Sequence, residues 1–212
     1  WYNIVRSNTE RLCGGLMSNN SALWFANPGK SFYNNVVQQS LRADDGDNPL
    51  LSKSAFSSAG NRKTWTLSIW FKRGNNVNGT LFSAPINGST NGFSIFFDAD
   101  QLVLFEYKNT GQSSYFKLTS SAALRDTTNW YHLVAIFDTN SSGGGSSDTG
   151  ASARVRMYLN GRLMDVSLTG SIGADYESLT WNNTYVHEIL NQRTSTFPFD
   201  GYIAEVNFID GT

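Results

Sequence analysis

The sequence predicts an all-β protein built as an antiparallel sandwich of two sheets. Aromatic residues make up 14% of the 212 residues, and 19 glycines accompany them. Aromatic side chains favour strands, and glycine favours the tight turns between them. Several segments also alternate apolar and polar residues with the two-residue period of a half-buried strand. Runs of Ala, Glu, Lys and Leu that would favour long helices are missing from the chain.

The chain is predicted to consist of an arm and one domain. Residues 1–35 are rich in Asn, Ser and Gly and show neither period, so we interpret them as an N-terminal arm or connecting segment. Residues 36–212 are predicted to form the sandwich, which at this length can bury a core without covalent cross-links. Cys13 is the single cysteine, which excludes an intrachain disulfide.

The first strand predictions come from alternation. Residues 64–71 place four apolar side chains on one face: Trp65, Leu67, Ile69 and Phe71. Residues 92–98 and 101–107 are joined by a short link and are predicted to form a hairpin. Residues 130–137 are apolar at nearly every position, which predicts a strand covered on both faces. Trp65, Trp70 and Trp130 are expected to fill the core between the sheets.

Turn chemistry predicts the next elements. Asn160-Gly161 accepts positive φ at both central positions of a type I′ turn, so residues 155–159 and 162–168 are expected to pair. Residues 202–209 alternate again, with four side chains on one face: Tyr202, Ala204, Val206 and Phe208. Gly201 precedes this strand and is expected to allow a close backbone approach or a bulge.

Four motifs occur in order along residues 36–212. They are Thr66–Trp70 with Lys72-Arg73, Trp130-Tyr131-His132, Tyr158-Leu159-Asn160-Gly161, and Phe199-Asp200-Gly201 with the five residues that follow. In this order and spacing they resemble the laminin-G-like, concanavalin A-like lectin/glucanase superfamily. The resemblance implies a jelly-roll sandwich. Members bind glycans, proteins or lipids, some of them with calcium, and others only assemble, so the fold does not decide the function.

A second set of motifs is similar to laminin-G-like domains in structural proteins of bacteriophages. They are Ser40-Leu41-Arg42, residues 58–65 (SAGNRKTW), Arg125-Asp126 and residues 208–212 (FIDGT). This resemblance implies a virion surface, tail-fibre or head-fibre module for particle assembly and host-glycan adhesion. The expected partners are other virion proteins and host-surface polysaccharide, in a homo-oligomer or multi-copy assembly. A cellular, secreted adhesion domain with an extracellular location is the alternative.

Charge and hydropathy exclude two classes of partner. Sixteen Lys and Arg stand against 17 Asp and Glu without a basic block, which argues against nucleic-acid binding. No apolar run reaches the roughly 18–20 residues of a membrane helix, so membrane insertion is not expected.

Catalysis is not predicted. Glycoside hydrolysis needs two carboxylates roughly 5–10 Å apart, and glucanase relatives carry an E-x-D-x-x-E strand that this chain lacks. A glycan-active hydrolase remains the alternative to a binding module. The two histidines are interpreted as structural, His132 in the core and His187 at the surface.

Two candidate sites follow from side-chain chemistry. Calcium prefers hard oxygen ligands, and Asp44, Asp45 and Asp47 cluster around a glycine, although an ordinary polar turn is the alternative. No other cofactor is expected. Glycans stack on exposed aromatic rings beside amide donors, which selects these loop residues: Trp181, Asn182, Asn183, Tyr185, Asn87 and Asn91. The alternative for Trp181 is a ring tucked under its own loop.

Overall fold

The computed structural model describes residues 39–86, 92–111, 113–142, 145, 147, 150–192 and 197–211. Within this part of the chain, thirteen strands form two sheets, and the one helix is a single 3-10 turn at Asp45–Asp47. No helix among these residues is long and apolar enough to cross a membrane. The predicted arm, residues 1–35, lies outside them together with Cys13, so the arm stays a prediction.

The two sheets have six and seven strands, and all pairings between strands are antiparallel. The six-stranded sheet has the order β1 (Leu41–Ala43), β13 (Gly201–Asp210), β3 (Thr64–Arg73), β8 (Tyr131–Asp138), β9 (Val155–Leu159), β10 (Arg162–Leu163). The seven-stranded sheet has the order β11 (Val166–Thr169), β7 (Tyr115–Ala123), β6 (Gln101–Tyr107), β5 (Gly92–Asp98), β4 (Gly79–Pro85), β12 (His187–Ile189), β2 (Leu51–Lys53). The predicted all-β jelly-roll sandwich is therefore confirmed.

The core lies between the two sheets and follows the predicted alternation of β3. All four predicted side chains, Trp65, Leu67, Ile69 and Phe71, are fully buried. Trp65 stacks on Phe137 of the same sheet at 5.0 Å and meets Phe93 of the other sheet edge-on at 5.3 Å. The contact between Trp65 and Phe93 joins the two sheets.

Both predicted hairpins form, but the second one splits. β5 and β6 pair from Phe93 opposite Glu106 to Asp98 opposite Gln101. Asn160 and Gly161 have φ of 49° and 77°, as a type I′ turn requires. Beyond that turn, β10 pairs with β9 for only two residues, and the chain then crosses to the other sheet, where β11 pairs with β7.

A bulge in β13 overturns the prediction of one continuous face. The register shifts between Ala204 and Asn207, and Glu205 has a positive φ of 49°. Tyr202 therefore lies opposite Lys72 on the outer face, whereas Phe208 lies opposite Leu67 on the core side. An inserted residue reverses the side-chain alternation, which the sequence alone does not reveal.

The prediction for Gly201 is confirmed. Its φ is 143°, and a Cβ atom placed there would lie 2.0 Å from the carbonyl oxygen of Lys72. Only glycine fits this close approach between β13 and β3.

Two tryptophans and both histidines lie where they were not expected. Trp70 and Trp130 are half-buried rather than in the core, and Trp70 stacks on His132 at 4.6 Å on the outer face of the six-stranded sheet. His132 is half-buried there, whereas His187 is buried. The prediction that β8 is covered on both faces is wrong, because only alternate residues such as Leu133 face the core and the residues between them are half-buried.

Candidate functional site

Trp181, the predicted stacking residue, lies in the hydrophobic core with no exposed surface. Its ring centroid lies 4.3 Å from that of Phe82, 4.8 Å from Phe93 and 5.1 Å from Trp65. A ring enclosed in this way offers no face to a sugar. The prediction that Trp181 exposes a surface for stacking is therefore wrong, because burial of a large aromatic ring outweighs the polar composition of its loop.

The two asparagines after Trp181 hold their own loop in place. Asn182 is buried, and its Nδ2 donates to the carbonyl of Asn61 at 2.9 Å and to Oδ1 of Asp210 at 2.6 Å. The Nδ2 of Asn183 donates to the carbonyl of Leu179 at 2.7 Å. Both amides are thus engaged with the protein itself.

Tyr185 completes the same internal network through its backbone. Its carbonyl accepts a hydrogen bond from Nδ1 of His187 at 3.0 Å, while Nε2 accepts from the N–H of Asn182. Burial lowers the pKa of His187 to about 4, so the ring is neutral at pH 7. The remaining predicted ligands, Asn87 and Asn91, lie outside the described residues.

A buried carboxylate anchors this loop from below. Glu106 is fully buried, and its Oε1 accepts from Oγ of Ser178 at 2.6 Å and from the N–H groups of Leu179 and Thr180 at 2.7 and 3.2 Å. Its Oε2 accepts from the hydroxyl of Tyr176 at 3.2 Å. Burial raises the pKa of Glu106 to about 7 against the opposing effect of these bonds. A raised carboxyl pKa often marks a general acid, but here the group is sealed in the core and acts as an anchor.

The predicted calcium ligands surround the 3-10 turn. Asp44 and Asp47 are exposed and Asp45 is half-buried. The Nδ2 of Asn75 bridges Oδ2 of Asp45 at 3.1 Å and Oδ2 of Asp200 at 2.9 Å. Among the described residues no three His, Cys, Asp or Glu side chains have the geometry to hold a metal ion. Calcium binding here stays a prediction without geometric support.

An open concavity lies on the outer face of the seven-stranded sheet. We call it the sheet cleft and define it by its lining: Thr80, Ser94, Phe96, Phe105, Lys117, Gln192 and Phe197. Its volume is about 250 Å³. Strand register brings the lining together, because Phe105 of β6 lies opposite Ser94 of β5 and Lys117 of β7.

The sheet cleft combines aromatic surface with polar groups. Phe105 is half-buried, and Phe197 is 41% exposed. The ring of the exposed Tyr115 lies 5.4 Å from that of Phe105 and extends the aromatic surface beyond the cleft. The Nζ of Lys117 lies 3.6 Å from a carboxylate oxygen of Asp98. Apolar rings beside amide, hydroxyl and ammonium groups suit a ligand that has both C–H faces and hydroxyls.

A second, larger concavity lies among the loops at one end of the sandwich. We call it the loop cleft and define it by its lining: Asp45, Gly46, Asn76, Val77, Asn78, Ala99, Phe197 and Pro198. Its volume is about 590 Å³, and its walls come from three separate connections and the segment before β13. Phe197 lines both clefts.

Sequence analysis missed the sheet cleft although the strands carry a pattern that predicts it. In β5 and β6 the core face takes residues such as Ile95 and Leu104, yet Phe96, Val103 and Phe105 are also large and apolar. Two apolar faces on neighbouring strands indicate that the outer face is covered or binds something.

Comparison with known proteins places the fold in a family. The sequence profile described as the concanavalin A-like lectin/glucanases superfamily matches residues 44–212. No curated protein matches the sequence. Among solved structures the chain is similar to the binding domain of Paraclostridial Mosquitocidal Protein 1, with a TM-score of 0.57 and 12% identity over 84% of this chain and 42% of that one. It is also similar to the CBM40 of Ruminococcus gnavus IT-sialidase, with a TM-score of 0.50 and 12% identity over 81% and 91% of the two chains. This chain thus spans less than half of the mosquitocidal structure, and at these identities the likenesses show the fold alone.

Proposed function

This chain belongs to the concanavalin A-like lectin/glucanases superfamily, and on that premise we propose that it is a non-catalytic, lectin-like module that binds a glycan in the sheet cleft. The observation that carries the proposal is the pairing of partly exposed aromatic rings with hydrogen-bonding groups in one concavity. Fold alone does not give this function, since the superfamily hosts many.

Individual side chains of the sheet cleft match the C–H face and the hydroxyl groups of a sugar. One face of a pyranose ring presents C–H groups that pack on aromatic side chains, here Phe96 and Phe105. Hydroxyls at the ring edge need donors and acceptors, which Ser94, Gln192 and Lys117 supply. Because Lys117 is partly neutralised by Asp98, the cleft suits uncharged as well as acidic sugars.

The chemistry of the clefts favours binding over hydrolysis. The described lining of the sheet cleft contains no carboxylate, and that of the loop cleft contains Asp45 alone. Hydrolysis needs two carboxyl groups that face one glycosidic bond. Glu106, with a raised pKa, is enclosed in the core and is not among the lining residues of either cleft.

We further propose that the module acts on the surface or tail of a virion, in many copies, together with other virion proteins. The proposal of this setting follows from the resemblance of residues 58–65 and 208–212 to segments of bacteriophage structural proteins. A shallow cleft of about 250 Å³ is expected to bind weakly, and many copies on one particle convert weak sites into firm adhesion. An extracellular adhesion domain of a cell is the alternative setting, and imaging of the assembled particle distinguishes the two.

The binding proposal is tested on a glycan array with the protein displayed multivalently. We expect bound spots that are lost in the Phe105→Ala variant. Tyr158→Ala is the matched control, since Tyr158 is a half-buried strand residue of the other sheet. Silence across bacterial polysaccharides and other glycans would refute glycan binding and leave assembly as the function. Equal loss in both variants would show that Phe105 acts through stability.

A further inference from the structure

We infer that the sheet cleft and the loop cleft form one continuous binding site, so that the ligand is an extended glycan chain held along its length. The inference rests on the proposed glycan binding and names the class of glycan: internal stretches of a polysaccharide, not single terminal sugars. Phe197 carries the continuity, because this exposed residue lines both clefts.

The volumes of the two clefts favour a chain over a single sugar. Sites for small organic ligands usually enclose roughly 300–1,000 Å³. The sheet cleft alone, at about 250 Å³, falls below that range. The loop cleft adds about 590 Å³ directly beside it. A glycan that packs on the rings of the sheet cleft therefore finds room for further sugar units in the loop cleft.

The loop cleft has the polar groups that a row of hydroxyls requires. Asn76 is exposed, and Asp45 supplies a carboxylate acceptor. The Oδ1 of Asn78 accepts from the N–H of Ala99 at 2.7 Å, which leaves its amide nitrogen as a donor for a ligand. Phe197 at the junction supplies an apolar ring between the two polar ends.

A buried arginine holds the walls of the loop cleft in position. Arg73, at the end of β3, is 1% exposed. Its guanidinium donates to the carbonyls of Val77 at 3.0 Å, Ala99 at 2.9 Å and Leu124 at 2.6 Å. It also lies 4.3 Å above the ring of Phe97. Since Val77 and Ala99 line the cleft, Arg73 fixes two of its walls from inside.

Hydrogen bonds also join the 3-10 turn to the segment before β13. Asn75 bridges Asp45 of the 3-10 turn and Asp200 before β13, and the N–H of Gly74 donates to the carbonyl of Asp200 at 2.9 Å. Three distant segments are thus locked together before any ligand arrives. A site fixed in advance loses less conformational entropy on binding. Because Arg73 holds the carbonyls of Val77 and Ala99 in place, it is a positioning residue of the loop cleft.

The test compares short and long oligosaccharides on the isotope-labelled protein. Disaccharides and hexasaccharides of the chitin, β-glucan and mannan series and of bacterial O-antigens are titrated, and binding is followed by backbone NMR shifts. We expect a hexasaccharide of at least one series to shift both Phe105 and Asn76 and to bind at least about tenfold more tightly than its disaccharide.

Two variants separate the clefts. Asn76→Ala, a surface change, is expected to reduce affinity for the hexasaccharide and to leave the disaccharide unaffected. Arg73→Lys is also expected to reduce affinity for the hexasaccharide and not for the disaccharide, because lysine lacks the planar guanidinium that reaches three carbonyls. Phe105→Ala lowers affinity for both lengths, and Tyr158→Ala for neither.

The outcomes distinguish the two proposals. If no oligosaccharide shifts any residue, glycan binding itself fails. If both lengths bind equally and shift only the sheet cleft, glycan binding stands and the continuous site is refuted. If Arg73→Lys weakens both lengths equally, the arginine supports the fold and does not position the loop cleft.

Discussion

Two polar loop regions of this sandwich are organised by buried side chains with opposite hydrogen-bonding roles. The sealed loop, residues 176–187, is drawn onto the carboxylate of Glu106, which accepts hydrogen bonds from backbone and hydroxyl donors. The loops around the loop cleft are held by the guanidinium of Arg73, which donates to three carbonyl oxygens and lies 3.7 Å from a carboxylate oxygen of Asp100.

This difference in anchoring explains why one polar loop is closed to ligands and the others keep exposed side chains. In the sealed loop Trp181 enters the core and Asn182 bonds inward, so few groups remain for a ligand. Around the loop cleft, Arg73 engages the backbone from below, and the side chains of Asn76 and Val77 stay exposed. A loop rich in Asn and aromatic residues can thus offer its side chains to a ligand only when the buried residue that anchors the loop leaves those side chains exposed.

The largest expected effect tests whether the sealed loop is part of the core. Trp181→Ala removes a fully buried ring and should lower the free energy of unfolding by about 3–5 kcal/mol. Trp130→Ala, at a half-buried position, is the control and should cost about 1 kcal/mol or less. Urea denaturation followed by circular dichroism measures both. Equal costs for the two variants would mean that Trp181 does not support the core.

The second effect tests the carboxylate anchor. Glu106→Leu leaves the N–H groups of Leu179 and Thr180 buried without an acceptor and should cost at least about 2 kcal/mol. Glu106→Gln is the matched control. Its amide oxygen can accept the same bonds while its Nε2 donates to the Tyr176 hydroxyl, so its cost should stay below about 1 kcal/mol. A Gln variant as unstable as the Leu variant would contradict the proposed bonding.

The pH dependence of stability in the natural protein and the Glu106→Gln variant tests the same carboxyl group. The folded protein keeps a proton on Glu106 up to about pH 7, whereas the unfolded chain releases it near 4.5. Unfolding therefore releases a proton between these values, and stability falls as pH rises, by up to about 1.4 kcal/mol per pH unit. His187, with a folded pKa of about 4, acts in the opposite direction. Both proteins keep His187, so its contribution cancels in their comparison. The free energy of unfolding of the Glu106→Gln variant should therefore rise relative to that of the natural protein from pH 4.5 to 7.

The sequence predicted the parts of the fold that depend on local periodicity. The alternation of β3 and the Asn160-Gly161 turn each depend on neighbouring residues, and both predictions are confirmed. Glu106 was also within reach of the same reasoning, since it continues the inward series of Leu102 and Leu104 in β6. A carboxylate on the core face indicates a buried anchor, which the chain must satisfy.

The loop cleft was beyond local reasoning because it depends on long-range closure. The loop cleft joins the 3-10 turn, residues 76–78, Ala99 and Phe197, which are far apart in sequence and carry no shared motif. The burial of Trp181 likewise depends on long-range packing. Its polar neighbours predict a surface loop, and only the packing of Phe82 and Phe93 around it decides that the ring is buried.

The smallest expected effect contrasts the two regions once more. Asp200 is partly buried, and both burial and the charges of Asp45 and Asp44 raise its pKa. Asp45→Asn keeps an oxygen for Asn75 but removes the repulsion, so it should stabilise the protein by a few tenths of a kcal/mol at pH 7. The gain should shrink in 1 M salt, where such repulsion is screened.

Asp47→Asn is the control for that change, because Asp47 is exposed in the same turn and is not among the groups that raise the pKa of Asp200. Thermal melts at low and high salt compare the two. If Asp45→Asn destabilises the protein, the carboxylate is needed to build the turn. If it stabilises the protein, the turn beside the loop cleft carries a charge repulsion that folding does not require. The carboxyl group of Glu106 under the sealed loop, by contrast, accepts four hydrogen bonds.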